Sequence, residues 1–383
     1  MNLRPLTVVL IVPTGVGASI GGFAGDSLPV ARAIAQVSDT LITHPNVLNG
    51  AQLYWPIANA LYVEGYGLDK FAQGCWGLQP VHQNRIGLIL DRGIEPDLQL
   101  RHLQAVDAAR ATLGLNITDY VLTDVPLNVE LRMSESGASW GTIANPDSLL
   151  RAAEKLITQA KVEAIAVVAR FPDDEGSLAL ANYRHGKGVD PLAGAEAAIS
   201  HLIVRTFKIP CAHAPALLPL PLDPHLSPRS AAEEIGYTFL PCVLAGLSKA
   251  PQFVTQGTAE RDTDKKRKHS QLPITNYQLP ITADRVDAVV IPATACGGSA
   301  ILSLSGRSAV QIIAVADNKT QMQVPPEKLG IKALQVNSYL EAIGVLVALR
   351  AGITPVALGA DISPLRCLSD STKQISNLKS KID

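Results

Sequence analysis

Aromatic residues make up only 4% of this 383-residue sequence, and neither sign of charge dominates, with 33 Lys and Arg against 34 Asp and Glu. Sparse aromatic faces and a formal net charge of -1 leave no stacking platform and no long-range field to gather nucleic acid or an anionic membrane surface. Cysteine is equally scarce. Cys75, Cys211, Cys242, Cys296 and Cys367 are odd in number, widely spaced and never arranged as CxxC, which excludes a disulfide framework or zinc ribbon and fits a reducing cytoplasm. No uninterrupted apolar run reaches the ~20 residues of a membrane span. The longest candidate, "AIGVLVALRAGITPVALGA" at Ala342–Ala360, is broken by Arg350, Gly352 and Pro355 and reads as a buried helix turning into a strand. The opening "MNLRPLTVVLIVPTG" stops in Pro-Thr-Gly with no small-residue cleavage site, so it reads as a first strand and not a signal peptide. G-x-x-x-x-G-K-[ST] does not occur, which excludes a P-loop.

What is present is an alternation of short β-branched runs with alanine-rich helical segments, the mark of an α/β fold with mostly parallel, buried strands. Strands are expected at Leu6–Val12, Thr40–Thr43, Ile86–Leu90, Tyr120–Asp124, Ala164–Ala169, Ile209–Ala212, Val286–Ile291 and Val310–Ala314. "DLQLRHLQAVDAARATLG" puts Leu100, Leu103, Val106 and Leu113 on one helical face, and "NPDSLLRAAEKLITQA" opens with Asn145 as cap and Pro146 at the first helical position.

"VVLIVPTGVGASIGG" (Val8–Gly22) and "AVVIPATACGGSAIL" (Ala288–Leu302) both read strand, proline, glycine-rich loop, and each leads to a second strand with a polar tip, "LITHPN" and "IAVADNKT". "IAVVARFPDDEG" followed by "KIPCAHAPA" is a looser copy. Two or three strand–Gly-loop–helix–strand pseudo-repeat units follow. The expected division is an N-terminal unit at 1–130, a middle unit at 131–253, a disordered insertion at 254–285 carrying the repeated "QLPIT", a C-terminal unit at 286–366 and a tail at 367–383.

Three loops carry candidate chemistry. Gly15, Gly17 and Gly21 give G-x-G-x-x-x-G after a strand, near the dinucleotide fingerprint, but the next strand ends in Thr43-His44-Pro45 where a ribose-binding acid belongs. The loop then reads either as close backbone approach to a ligand, with Ser19 and Asn46 beside it, or as tight packing. In "RHGKGVDPLAGAEA", Arg184, His185 and Lys187 precede a helix start and form an anion clamp, unless Asp190 caps that helix and leaves a solvated basic turn. "TACGGSAILSLSGRS" offers Gly297, Gly298, Ser299 and Arg307, and a Cys296 that is either an activated thiolate or a small buried filler. His44, His213 and Asp317 stand at strand ends and read as acid–base or ligand-contact residues, with a hydrogen-bonded structural role as the plainer alternative and no metal assigned. The tract Tyr54–Trp76 holds Tyr54, Trp55, Tyr62, Tyr66, Phe71 and Trp76, to cover a cleft, meet another subunit or pack in the core.

Through "PTGVGASIGGFAGDS", "THPNVLNGAQLYWP", "HGKGVDPLAGAEA", "AAEEIGYTFLPCVLAGL" and "PATACGGSAILSL" the chain resembles an uncharacterised family of cyanobacteria and plastids over nearly its whole length. The resemblance implies a cytoplasmic or stromal protein and carries no activity to any residue. The residue chemistry alone points to an enzyme acting on a small anionic metabolite, with His44, His213 or Ser299 as catalytic groups and no cofactor named. A non-catalytic binding or assembly protein, with a homo-oligomer as one form of it, and a serine–lysine amidohydrolase using Ser19 or Ser299 with Lys187 or Lys319 are the alternatives.

Overall fold

The computed structural model describes residues 4–49, 51–173, 176–234, 239–255 and 279–365. Most of the expected insertion, residues 256–278, and the tail at 367–383 lie outside the described residues. The strands are β1 (Thr7–Leu10), β2 (Thr40–Thr43), β3 (Ala60–Tyr62), β4 (Trp76–Gln79), β5 (Ile86–Leu90), β6 (Ile117–Leu122), β7 (Val129–Met133), β8 (Ser139–Ile143), β9 (Ala164–Arg170), β10 (Cys211–Ala216), β11 (Gln252–Thr255), β12 (Ala288–Pro292), β13 (Gln311–Val315) and β14 (Ala333–Val336). The helices are α1 (Leu28–Val37), α2 (Pro45–Leu48), α3 (Ala51–Tyr54), α4 (Gly65–Ala72), α5 (Pro96–Leu113), α6 (Pro146–Lys155), α7 (Leu178–Arg184), α8 (Ala193–Phe207), α9 (Pro228–Glu234), α10 (Leu240–Ser248), α11 (Ser299–Ser305) and α12 (Tyr339–Arg350).

Two parallel sheets organise the α/β fold. The six-stranded sheet runs β14-β13-β12-β1-β2-β3 and the four-stranded sheet β10-β9-β5-β6. Every residue of β1, β5 and β12 is buried, which is why these strands read as unbroken apolar runs: both faces are covered. Helix α10 ("LPCVLAGLS") is apolar on all sides because it is core on all sides, with Leu240, Val243, Leu244 and Leu247 in one cluster with Val8 and Leu10 of the first sheet and Leu88 and Ala166 of the second.

The larger sheet is a mirrored pair of units. β1, β2 and β3 step outward on one side and β12, β13 and β14 on the other, so β1 and β12 meet at the centre, where Val8 lies opposite Ala288 and Leu10 opposite Val290. This is the doubly wound order 3-2-1-4-5-6, whose switch point opens a crevice at the carboxyl ends of the two central strands. The glycine-loop repeat was read from these two units, but the sheet joins them, drawing on residues expected in separate N- and C-terminal domains. The looser third copy, β9 and β10, belongs to the smaller sheet.

Local differences have local causes. Helix α5 buries Leu98, Val106 and Ala109, while Leu100 is 55% exposed and Leu113 39%, so its inward face is rotated from the one the leucines suggested. After α12 the chain forms a 3-10 turn at Pro355–Leu358 with no buried residue, and not a strand, because Pro355 and the preceding Gly352 break the run. The ends of the expected insertion are structured: Val254 and Thr255 pair with Gly77 and Trp76 of β4, and Ile281 bridges Leu78.

The β7–β8 hairpin packs on α8 at contact distance. A Cβ on Gly194 would stand 2.2 Å from Trp140 Cα and 2.5 Å from the Ser139 carbonyl oxygen. Gly194→Ala therefore has to push two backbones apart, and we expect a loss of about 3 kcal/mol by urea unfolding, at the upper end of overpacking effects; an unchanged midpoint would show that the hairpin gives way freely.

Candidate functional site

A cavity of about 590 Å³ opens at the carboxyl ends of the central strands, bordered by Pro13 and Thr14 after β1, His44 after β2, Glu64 after β3 and Ala295, Gly298 and Ser299 after β12. Its opposite wall is α8, with Ala193, Glu196, Ala197, Ser200 and His201, joined by His213 of β10, Ser139 and Trp140 of β8, Asp190, Glu233 and Phe239. The wall is a polar stripe along an otherwise apolar helix, since residues three, four, seven and eight apart share a helical face.

Glu64 organises one side. Its Oε2 accepts from the N–H groups of Tyr66 (2.8 Å) and Gly67 (3.2 Å), capping α4, while Oε1 lies 2.9 Å from His201 Nε2 and accepts from Ser200 Oγ at 3.4 Å. A Cβ at position 65 would come within 2.9 Å of His201 Nε2, so Gly65 leaves room for that pairing. Burial alone depresses the His201 pKa, but the Glu64 hydrogen bond and charge, with Asp69 adding to them, raise it above the ordinary value. Ser200 Oγ is also 3.2 Å from His213 Nδ1, and His213 Nε2 stands 3.7 Å from Glu196 Oε2. The result is one row of exchangeable protons from His201 through Glu64 and Ser200 to His213, with the Glu196 carboxylate at ion-pair distance beyond it.

His44 sits in a different environment. Its Nε2 accepts from the Val12 N–H at 3.1 Å, which leaves Nδ1 as the protonated nitrogen of a neutral ring. Burial lowers its pKa from 6.5 to about 4. At the far side of the cavity the carboxyl groups crowd one another. Burial, then Glu233 and Glu196, push Asp190 well above the usual carboxylate range, and burial pushes Glu233 up to about 7 although Tyr183 OH (2.5 Å) and the Ala24 N–H (3.1 Å) donate to its Oε2. Burial also raises Asp69. Among the described residues, no group of three or more His, Cys, Asp or Glu is placed to hold a metal ion.

Of the residues singled out in the sequence, the fold brings His44, Asn46, His213, Gly298 and Ser299 to the cavity. Asn46 also donates from Nδ2 to the Gly21 carbonyl at 3.0 Å, and Ser299 Oγ accepts from Gln73 Nε2 at 3.0 Å. The others stand elsewhere. Arg184 is held by both oxygens of Glu234 (2.9 and 2.8 Å) and by the Pro221 carbonyl, His185 Nε2 lies 2.9 Å from Asp223, and Lys187 is exposed outside the lining. Asp190 Oδ1 accepts from the Leu192 N–H at 2.8 Å, so the loop before α8 is capped by its own acid. Gly15 and Gly17 adopt φ of 68° and 61°, and a Cβ on them would meet Ser139 Oγ at 2.6 Å and the Gly188 carbonyl oxygen at 2.8 Å. Their openness is taken up by neighbouring loops.

Ser19 donates to the Lys319 carbonyl at 3.2 Å, Arg307 pairs with Asp284, and Gly297 and the exposed Asp317 are outside the lining. Cys296 is fully buried and its thiol is pushed up to about 11 by burial, the behaviour of a core filler. Tyr62, Phe71 and Trp76 of the aromatic tract are buried as well, while Tyr54 and Trp55 are each 54% exposed. Glu64, Asp69, Glu196, Ser200, His201, Glu233 and Ser139 were not singled out from the sequence. The signal for α8 was there in Glu196, Ser200 and His201, spaced four and five apart amid alanines and isoleucines.

Residues 7–359 match the family model described as protein of unknown function (DUF3326). The chain belongs to this family. A member from Synechococcus sp., whose name is uncharacterized lipoprotein, is 56% identical over 376 residues, covering 98% of this chain and 99% of the relative. No solved structure matches. The matched span takes in both sheets and every residue of the cavity, so within the DUF3326 family the unit to be explained is the whole two-sheet body.

The buried neutral state of His44 has a pH signature. A depressed histidine leaves stability intact above the unfolded pKa of 6.5 and loses it as pH falls toward about 4. Between pH 7 and 5 the wild type should lose about 2 kcal/mol more than His44→Gln, as measured by urea unfolding at each pH. Parallel curves would place the imidazole in contact with water.

Proposed function

We propose that the protein is an enzyme that binds a small polar metabolite in this cavity and moves protons through two histidine–carboxylate pairs, His201 with Glu64 and His213 with Glu196. The observation that carries the reading is Ser200 Oγ, within 3.4 Å of Glu64 Oε1 and 3.2 Å of His213 Nδ1, which links the pairs inside a crevice at the switch point of a doubly wound sheet. His201 supplies the acid, because the hydrogen bond and charge of Glu64 favour its protonated ring; His213, beside Glu196, supplies the second transfer group. His44 is the polar, uncharged neighbour that orients without titrating.

Among the described residues an anionic substrate group would meet no Lys or Arg in this lining, so the reading turns from the anionic class that the Arg184 loop suggested. A serine–lysine hydrolase also finds no lysine beside Ser299 in the lining. As for place in the cell, the scattered cysteines of the sequence, without a CxxC pair, favour a reducing cytoplasm; the relative's name as a lipoprotein supports a membrane-attached form, and fractionation of cells expressing the full chain distinguishes them.

The test has two readouts. In Glu64→Gln the His201 ring loses the charge that raises it, so its titration midpoint, followed by NMR of the imidazole nitrogens, should move down. Mass-spectrometric profiling of a small-molecule extract should show one compound consumed by the wild type and consumed about 100-fold more slowly by Glu64→Gln. An unmoved His201 midpoint together with undiminished turnover overturns the assignment.

A further inference from the structure

The end of the cavity formed by β8, the start of α8 and α9 plays no part in the proton chain beyond Glu196. Three carboxylic acids line it, Asp190, Glu196 and Glu233, and among the described residues no Lys or Arg lines the cavity to balance them. Acids alone do not make a site, but this end also has orphaned hydrogen-bonding atoms. Ser139 is 9% exposed and lines the cavity, and its buried Oγ has no partner; elsewhere in the lining Asn49, at the end of α2, has a buried and unpartnered Oδ1. An amide oxygen only accepts, and carboxylates mostly accept. The basic side chain that faces this end is His213, 3.7 Å from Glu196, and a fixed cation is lacking among the described residues of the lining.

We propose that this end of the cavity binds the protonated amine of a small metabolite, with Asp190, Glu196 and Glu233 as counter-charges and Ser139 as a further acceptor. The inference rests on the same cavity being the substrate site and gives that substrate its chemical class. An alkylammonium brings three N–H donors and one charge, which answers the acceptors and the repulsion at once. Trp140 and Phe239 in the wall add aromatic surface suited to a cation and to the carbon chain behind it. A bare divalent ion is the poorer fit, because these three acids, like the other His, Cys, Asp and Glu among the described residues, are not grouped around one ion-sized point.

The groups facing these acids are themselves mostly acidic or neutral. Glu233 faces Tyr183 from α7, Glu196 from α8, Asp190 from the loop before it and Asp26 from the loop after β1. Asp26 in turn holds Arg229 at 2.7 Å. Without ligand the cluster therefore retains protons, as the raised pKa values of Asp190 and Glu233 describe. An arriving cation favours the ionised form, so binding expels protons.

The experiment is calorimetric titration of the full chain near neutral pH with 1,4-diaminobutane, succinate and Mg²⁺ as separate probes, with proton release followed in a pH-stat. The expected result is saturable diamine binding with proton release and no competition from succinate. Glu233→Gln, which keeps an acceptor for Tyr183, should weaken diamine binding about tenfold and reduce the proton release. Asp190→Asn, which keeps an acceptor for the Leu192 N–H, serves as the second variant should the first fail to fold. Absence of saturable diamine binding, binding unaffected by both variants, or displacement of the diamine by Mg²⁺ overturns the inference. Because binding is read without turnover, its failure beside a slowed Glu64→Gln enzyme refutes the amine and leaves proton transfer standing, and the converse refutes proton transfer alone.

Discussion

The pairing of β1 with β12 is the constraint on which the rest of the molecule depends. It joins residues about 280 positions apart in register, Val8 against Ala288 through Leu10 against Val290, and it is reinforced at its entry by Asp287, whose Oδ2 accepts from the Thr7 N–H at 2.8 Å. Arg4 adds an ion pair to the same carboxylate at 2.9 Å. Closing so long a loop costs entropy that grows only slowly with length, and burial of the central strands of the finished sheet offsets it. Once β1 and β12 are neighbours, their following loops must leave in opposite directions, and the crevice between them exists whatever side chains line it. All the candidate chemistry sits on that consequence of topology.

Within the crevice, residues of one type take different roles because their surroundings differ. His44 and His201 line the same cavity, yet one accepts a backbone N–H in a buried position and the other leans on a carboxylate. Desolvation without a counter-charge keeps the first neutral; a paired Glu64 outweighs desolvation for the second. Environments that push titrating groups apart in this way are the usual means by which one site supplies both an uncharged hydrogen-bonding group and an acid. The geometry is locked from behind, since Glu64 spends its other oxygen on the N-terminus of α4, and Gly65 and α8 hold His201 to the remaining one.

Some of this was legible in the sequence. The buried parallel strands announced themselves as apolar runs bounded by proline and glycine, and the likeness of "VVLIVPTG" to "AVVIPATACGG" pointed to the two mirrored units. His44 and His213 were found because strand ends in α/β proteins carry sites. The basic loop misled because charge was read without its partners: Glu234 and Asp223, 50 and 38 residues beyond Arg184 and His185, are distant in sequence and adjacent in space. Glu64 and Glu196 were missed for the opposite reason. Each looks like an ordinary solvated acid in the chain, and only the meeting of α4, α8 and β10 shows that they face histidines.

The sheet order is that of dinucleotide-binding folds, and the glycine loop follows the right strand, so the absence of the matching chemistry calls for a physical reason. In a dinucleotide site the glycines clear space for a pyrophosphate and the second strand delivers an acid to a ribose. Here the cleared space is filled by protein: Ser139 lies against Gly15, the Gly188 carbonyl against Gly17, and the Ser139 N–H donates to the Gly15 carbonyl at 2.8 Å. The second strand ends in His44, a neutral group turned back to its own neighbour at Val12. With the glycine loop filled by the hairpin, the proposed site draws mainly on the opposite wall. There α8 presents Glu196, Ser200 and His201, side chains suited to protons and cations and unsuited to phosphate.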